Sequence, residues 1–261
     1  MILFTNGCSW TWGGGIDKKD GRILSNQERS KLVWPYHLGN LLKSDKTVNL
    51  SMGCGSNSRI LRTTFDWIHE KNTDVLQDTV AVIQWSDYAR YEYYIPKDYD
   101  EVYENIPERW ARAKVGCVIS DYEYDTARLY DRVEKRLETL TDVESMYKHI
   151  VECDALGSLF NTYNIKYYYW NFGNKVVGYP KEVKNYLLSK HRWLDDGMCD
   201  WKYDRVAPKL DHHPSITGQK QLAEIIYNKM KEKNEKNNII NSIDNTTRCC
   251  ISRKTKRRCN I

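Results

Sequence analysis

The sequence predicts a doubly wound α/β protein, with a mostly parallel sheet covered by helices on both faces. Three observations carry this. Short apolar runs alternate with longer segments whose apolar residues recur at helical spacing. One run, Val80-Ala81-Val82-Ile83, is continuously apolar, as in a strand buried on both faces. The chain has 261 residues, 41% of them hydrophobic, a size that α/β folds reach as one domain with a sizeable core.

The elements follow in order. Residues 2–5 (Ile-Leu-Phe-Thr) form a first strand, broken at once by Asn6-Gly7. Trp34, Leu38, Leu41 and Leu42 place a helix over 34–42, and residues 47–50 form a second strand. Ile60, Leu61, Phe65 and Ile68 give one side of a helix over 56–71. Residues 79–85 form the third strand. A helix is predicted over 142–163 with Asp142 as N-cap, then a strand over 165–170 and a closing helix over 215–233. Two segments break the alternation: 88–136, rich in Tyr, Asp, Glu and Arg, and 171–210, rich in Trp, Asp and Lys. They read as insertions at the carboxyl ends of strands, where such folds place their sites. The domain is thus expected to span 1–233, with 234–261 a Lys/Asn-rich linker and flexible tail.

Composition narrows the function classes. No apolar stretch approaches the ~18 residues of a membrane span. The N-terminal apolar run is too short for a secretory signal, which leads to the expectation of a cytoplasmic protein. The Lys, Asn, Ile and Tyr richness is compatible with an AT-rich, viral source. Net charge is +5, but residues 248–261 hold six basic residues and no acid; removing them leaves 34 basic against 35 acidic residues, or −1. A nucleic-acid-binding body would carry its own basic excess, so any such binding is expected only weakly, through the tail, and to fall with salt. Of eight cysteines, five are scattered singly, which suits reduced thiols. The other three, Cys249, Cys250 and Cys259, lie in the tail without a His; a frayed end or a small metal or nucleic-acid module both fit.

Three segments can carry chemistry. Asn6-Gly7-Cys8-Ser9-Trp10-Thr11-Trp12-Gly13-Gly14-Gly15 puts a serine just past strand 1, with glycines that permit a tight turn. By itself this is compatible with a structural turn, and a phosphate loop is disfavoured because no Gly-Lys-Ser/Thr follows. Asp211-His212-His213-Pro214-Ser215 precedes the last helix; an exposed polar loop fits it, and no His spacing favours metal. Together, a serine and a distant histidine supply a nucleophile and its base, and an acid such as Asp211 can orient the imidazole. The third segment, residues 49–59, offers the glycines Gly53 and Gly55 and the amide of Asn57 for an oxyanion hole.

These residues resemble the SGNH (GDSL-type) hydrolases. Gly7-Cys8-Ser9-Trp10-Thr11-Trp12-Gly13 is similar to their Gly-Asp-Ser-x-Thr-x-Gly motif, with Cys8 in place of Asp. Gly53 or Gly55 matches the second-block glycine, and His213-Pro214 looks like the terminal His-Pro. The resemblance covers about residues 1–233. It implies a flavodoxin-like three-layer α/β/α fold and a serine ester hydrolase with no metal or other cofactor. Ser9 would be the nucleophile, His213 the base and Asp211 its orienting acid. Ser9, Gly53, Gly55, Asn57 and Ser86 would be candidates for the oxyanion hole. Two departures stand out. The third-block Gly-x-Asn is replaced by Gln84-Trp85-Ser86-Asp87, so Ser86 or Asn57 would have to replace the missing amide. The usual acid position, three before the His, is Leu210; Asp204 and Asp196 are further candidates, and a Ser–His dyad is open.

Trp85 and Arg90 are the expected substrate contacts: an aromatic face for a sugar ring, and a guanidinium for a carboxylate, unless Arg90 merely pairs with neighbouring charges. Tyr167-Tyr168-Tyr169-Trp170 reads as packing. The resulting expectation is an esterase acting on a small or glycan ester, an acylated carbohydrate by preference. The alternative is a carbohydrate-binding module on the same fold.

Overall fold

The computed structural model describes residues 1–16, 18–19, 22–88, 90–94, 110–114, 117–119, 142–171, 181–194, 201–207 and 211–235. The expected basic, cysteine-containing tail, Asp196 and most of the 88–136 insertion lie outside them.

Four strands make the central sheet: β1 (Ile2–Asn6), β4 (Lys46–Asn49), β5 (Thr79–Trp85) and β9 (Lys166–Asn171). Their order is β4-β1-β5-β9 and every pairing is parallel, with Thr5 opposite Asn49, Asn6 opposite Ile83 and Trp85 opposite Asn171. Residues 192–194 run beside β9 through one parallel bridge, Tyr169 to Trp193, closed by Tyr169 N–H to Arg192 O (2.9 Å) and Leu194 N–H to Tyr169 O (2.8 Å). The chain leaves β1 to one side for β4, then crosses to the other side for β5. Adjacent strands whose connections diverge open a crevice beyond their carboxyl ends.

Alternation along the strands splits the core in two. Phe4, Ala81, Ile83, Trp85, Tyr167 and Tyr169 pack with α4 (Asn57–His69), α6 (Asp142–Thr162) and α7 (Lys181–Lys190). Leu3, Val82, Tyr168 and Trp170 pack with α3 (Trp34–Leu42) and α8 (residues 216–235). The sheet is therefore covered on both faces, giving the α/β/α layers that the sequence predicts.

Local chemistry explains the helix starts. Ser56 accepts from Arg59 N–H (3.1 Å) and begins α4. The short α2 (Asn26–Ser30), which periodicity does not reveal, is held by a reciprocal capping box between Ser25 and Glu28. Asn72 likewise caps α5 (Thr73–Gln77). The smaller sheets are antiparallel: β2 (Lys18–Lys19) with β3 (Arg22–Ile23), β6 (Arg90–Tyr94) with β7 (Trp110–Lys114) and β8 (Cys117–Ile119), and β10 (Arg205–Ala207) with β11 (Asp211–Pro214). Among the described residues no helix is long and apolar enough to cross a membrane.

Candidate active site

The turn after β1 is built to hold one serine. Asn6 closes the strand by accepting from Gly7 N–H (2.9 Å) and donating to Ile60 O, Thr63 Oγ1 and Thr64 Oγ1 of α4. A Cβ on Gly7 would lie 2.5 Å from Thr11 Oγ1 and 2.8 Å from Gln84 Oε1, so only glycine fits there. Gln84 then fastens the turn to β5. Its Oε1 accepts from Thr11 Oγ1 (2.5 Å) and Cys8 N–H (3.3 Å), and its Nε2 donates to Cys8 Sγ (3.1 Å). Ser9 opens the one-turn helix α1 (Ser9–Trp12), which ends at Gly13 in the left-handed region (φ 92°).

His213 reaches Ser9 across 204 residues of sequence: its Nε2 lies 2.7 Å from Ser9 Oγ. With the ring proton on Nδ1, Nε2 accepts the hydroxyl proton, the geometry a general base needs. The pair is 8% exposed at Ser9 and half-buried at His213. Gly14 lies against both; a Cβ there would come within 3.0 Å of His213 Nε2 and of Ser9 Cβ. Contacts from several elements fix the histidine loop. β10 pairs with β11, and Ser215 at the start of α8 bonds Asp204 through its N–H (3.0 Å) and its hydroxyl. Buried Gln219 accepts from Trp34 N–H (2.8 Å) and donates to Trp10 O (3.2 Å), tying α8 to the helix that carries Ser9. Trp10 also faces Tyr203 edge-on, at 5.2 Å between centroids.

The expected acids fall as follows. Asp211 opens β11, two residues before His213 on the same strand; its side chain lies outside the described residues. Asp204 spends its carboxylate on the Ser215 hydroxyl.

The second block lies on the turn that carries Ser9. Met52 N–H donates to Gly7 O (3.3 Å), and a Cβ on Gly55 would sit 3.2 Å from that oxygen. Gly55 N–H is used within the turn, on Met52 O (3.1 Å). Gly53 lies against the Trp12 ring, which Arg29 also covers at 3.8 Å. Asn57, expected as an oxyanion donor, is directed elsewhere. Its Oδ1 accepts from Ser86 N–H (2.7 Å), while its Nδ2 donates to Ser86 O (3.2 Å) and to His149 Nδ1 (3.0 Å). It clamps the turn after β5 to the start of α4. His149 is fully buried, which, with Lys148 beside it, lowers its pKa from 6.5 to about 3; it stays neutral and can accept from the amide.

Ser86 Oγ itself is buried and has no hydrogen-bond partner. Trp85, expected to touch substrate, is instead a core residue with no exposed surface. It packs edge-on to His149 and Tyr169, both at 5.3 Å, because the last turn of strand alternation points it under α6. Arg90 begins β6 after a tight turn in which its N–H donates to Asp87 O (3.1 Å). Among the described residues no group of three His, Cys, Asp or Glu side chains is placed to hold a metal ion. Cys8, Cys54 and Cys153 are free thiols.

Gln84, Gln219 and His149 were not singled out from the sequence. Gln84 left one trace: it is a polar residue closing an apolar run that is buried on both faces, where a side chain with donors and acceptors must find partners.

Fold and site together define an α/β protein with a serine–histidine pair at the carboxyl edge of a parallel sheet. The chain belongs to DUF6071, a family of unknown function, whose model matches residues 16–179; the matched segment contains neither Ser9 nor His213. No curated protein matches the chain. Among solved structures it is similar to TesA, with 12% identity, 89% of this chain and 99% of that one covered, and a TM-score of 0.49. It is also similar to a carbohydrate esterase described as having divergent catalytic and non-catalytic binding functions (12%, 88% and 68%, 0.46). A third likeness is to the psychrotrophic esterase EstA from Pseudoalteromonas sp. (11%, 90% and 97%, 0.41). Likenesses this distant carry no argument about activity.

Proposed function

We propose that the protein is a serine ester hydrolase. The observation that carries this is the 2.7 Å contact between Ser9 Oγ and His213 Nε2, made across 204 residues at the sheet's carboxyl edge. In the reaction, Ser9 Oγ attacks the acyl carbon while His213 takes its proton. The tetrahedral oxyanion is stabilised by the Ser9 N–H at the start of α1, with the Ser86 hydroxyl in the place of the missing third-block amide and Gly53 as a further donor. His213 returns the proton to the departing alcohol, leaving an acyl-serine. Water activated by the same histidine then frees the acid and restores Ser9. Asp211, two residues along β11, is the proposed orienting acid. A small acyl ester, with acylated carbohydrate as one candidate, is the proposed substrate; the burial of Trp85 removes one aromatic face on which the sugar preference rested.

A second reading, a carbohydrate-binding module on this fold, is favoured by one observation. The donors of Asn57 and Gly55 are both consumed internally, which leaves a sparse oxyanion hole. Hydrolysis of p-nitrophenyl acetate by wild type and Ser9→Ala separates the two. Turnover that falls to background in the variant supports the hydrolase. Equal inactivity of both, with glycan affinity retained, supports the binder.

A further inference from the structure

We propose that Arg90 is the recognition residue for an anionic oxygen pair, a carboxylate or phosphate-type group, on the molecule that occupies this site. For what the group is attached to, the inference rests on the hydrolase reading.

The argument begins with an anomaly among the arginines. Arg62 donates through Nε and Nη2 to both oxygens of buried Glu92 (3.2 and 2.8 Å). Arg59 donates to Leu50 O (2.8 Å), and Arg29 stacks on Trp12. Arg90 is half-buried, yet its Nε and Nη1 are shielded from solvent and have no hydrogen-bond partner. The Nε atoms of Arg29 and Arg59 and several tryptophan N–H groups are also buried without a hydrogen bond, but each of those arginines has a contact through the rest of its guanidinium, and the tryptophans are neutral. A buried guanidinium with idle donors is costly, because desolvating a charge is repaid only by a counter-charge or hydrogen bonds. Such a residue persists where a ligand supplies the missing partner.

Its position fits that role. Arg90 closes a tight turn with Asp87, so its backbone is one turn away from Ser86, the proposed oxyanion donor beyond β5. Residues two apart on a strand share a face. Arg90 therefore shares the face of β6 from which Glu92 reaches Arg62 of α4, the helix whose first residue clamps Ser86. Nε and Nη1 point to different sides of the guanidinium, and each shares an edge with Nη2; along such an edge two N–H donors match a planar pair of anionic oxygens, which a lysine cannot copy.

The test uses the full chain as wild type, Ser9→Ala, Arg90→Gln and Arg90→Met. Without ligand, Arg90→Met is expected to melt at or above the wild-type temperature, since the substitution removes a charge that the protein itself does not pair. A drop of several degrees would show that Arg90 supports the fold and would overturn the proposal. Succinate or inorganic phosphate is expected to raise the melting temperature of wild type and of Ser9→Ala, saturably, but not of Arg90→Gln; equal shifts in Arg90→Gln would overturn it. Succinate acting alone identifies a carboxylate, and phosphate acting alone a phosphate. In turnover, the ratio of kcat/KM for the mono-p-nitrophenyl ester of succinic acid to that for p-nitrophenyl acetate is expected to fall about 10- to 100-fold in Arg90→Gln, from the loss of charged hydrogen bonds. The two readings fail separately. Absent ester turnover with an Arg90-dependent anion shift sinks only the hydrolase. Ser9-dependent turnover with an unchanged ratio and unchanged shifts sinks only the role of Arg90.

Discussion

The turns after β1 and β5 leave the same edge of the sheet side by side, and they are built in opposite ways. In the first, the side chains of four residues find partners within the protein: Asn6 on α4, Thr11 and Cys8 on Gln84, and Ser9 on His213. In the second, Asn57 clamps the Ser86 backbone, but the Ser86 hydroxyl and the Nε and Nη1 of Arg90 are left idle. The first turn is a finished scaffold that holds the Ser9 hydroxyl against His213. The second has a fixed backbone and unspent donors, the state expected where a ligand completes the hydrogen bonding.

Substitutions in the two turns should therefore behave differently. The largest effect is expected from Ser9→Ala or His213→Ala, which should lower kcat for p-nitrophenyl acetate by about 10³-fold or more with the melting temperature little changed. Retained turnover would remove Ser9 from the chemistry. Next is Ser86→Ala. An idle hydroxyl contributes nothing to folding, so thermal stability should hold while kcat falls by roughly 10²-fold, the cost of one oxyanion donor. Lost stability with unchanged kcat would instead make Ser86 structural.

Gln84→Ala should show the reverse balance. It strands Cys8 N–H and the Thr11 hydroxyl in the core, and denaturant unfolding should record a loss of about 1–3 kcal/mol. kcat should fall with KM nearly constant, because the nucleophile loosens but substrate contacts stay. The gentlest effect is on pH. His149 in the folded protein titrates at about 3, against 6.5 when exposed. The unfolded chain therefore binds a proton that the folded one refuses, so this contribution to stability is present above pH 6.5 and is lost as pH falls toward 3. Between pH 6.5 and 5.5 the loss should be about 1 kcal/mol, measured by denaturation at each pH. His149→Gln should flatten that slope.

What could be read from the sequence depended on whether the signal was local. Val80 to Ile83 announced a doubly buried strand, and the spacing of Ile60, Phe65 and Ile68 announced α4, because periodicity is a property of neighbours. The Ser9–His213 encounter was legible as a pairing of residue types and as a resemblance, but not as a contact, since 204 residues separate them. Trp85 was misplaced because a strand buried on both faces carries no alternation to tell one side from the other. β11 escaped notice because Asp-His-His-Pro has little strand preference; pairing with Arg205–Ala207 makes it a strand. The Asn57–His149 contact joins residues 92 apart and leaves no local trace.

The seating of α8 sets an order of events in the life of the chain. Ser9 and its turn emerge during synthesis before His213 and the Gln219 that anchors its loop to Trp10. A growing or cut chain that stops short of residue 213 carries the cradle of the serine without the imidazole that faces it. On the proposed mechanism, reactivity waits for α8 to dock, and a partly made chain is chemically silent.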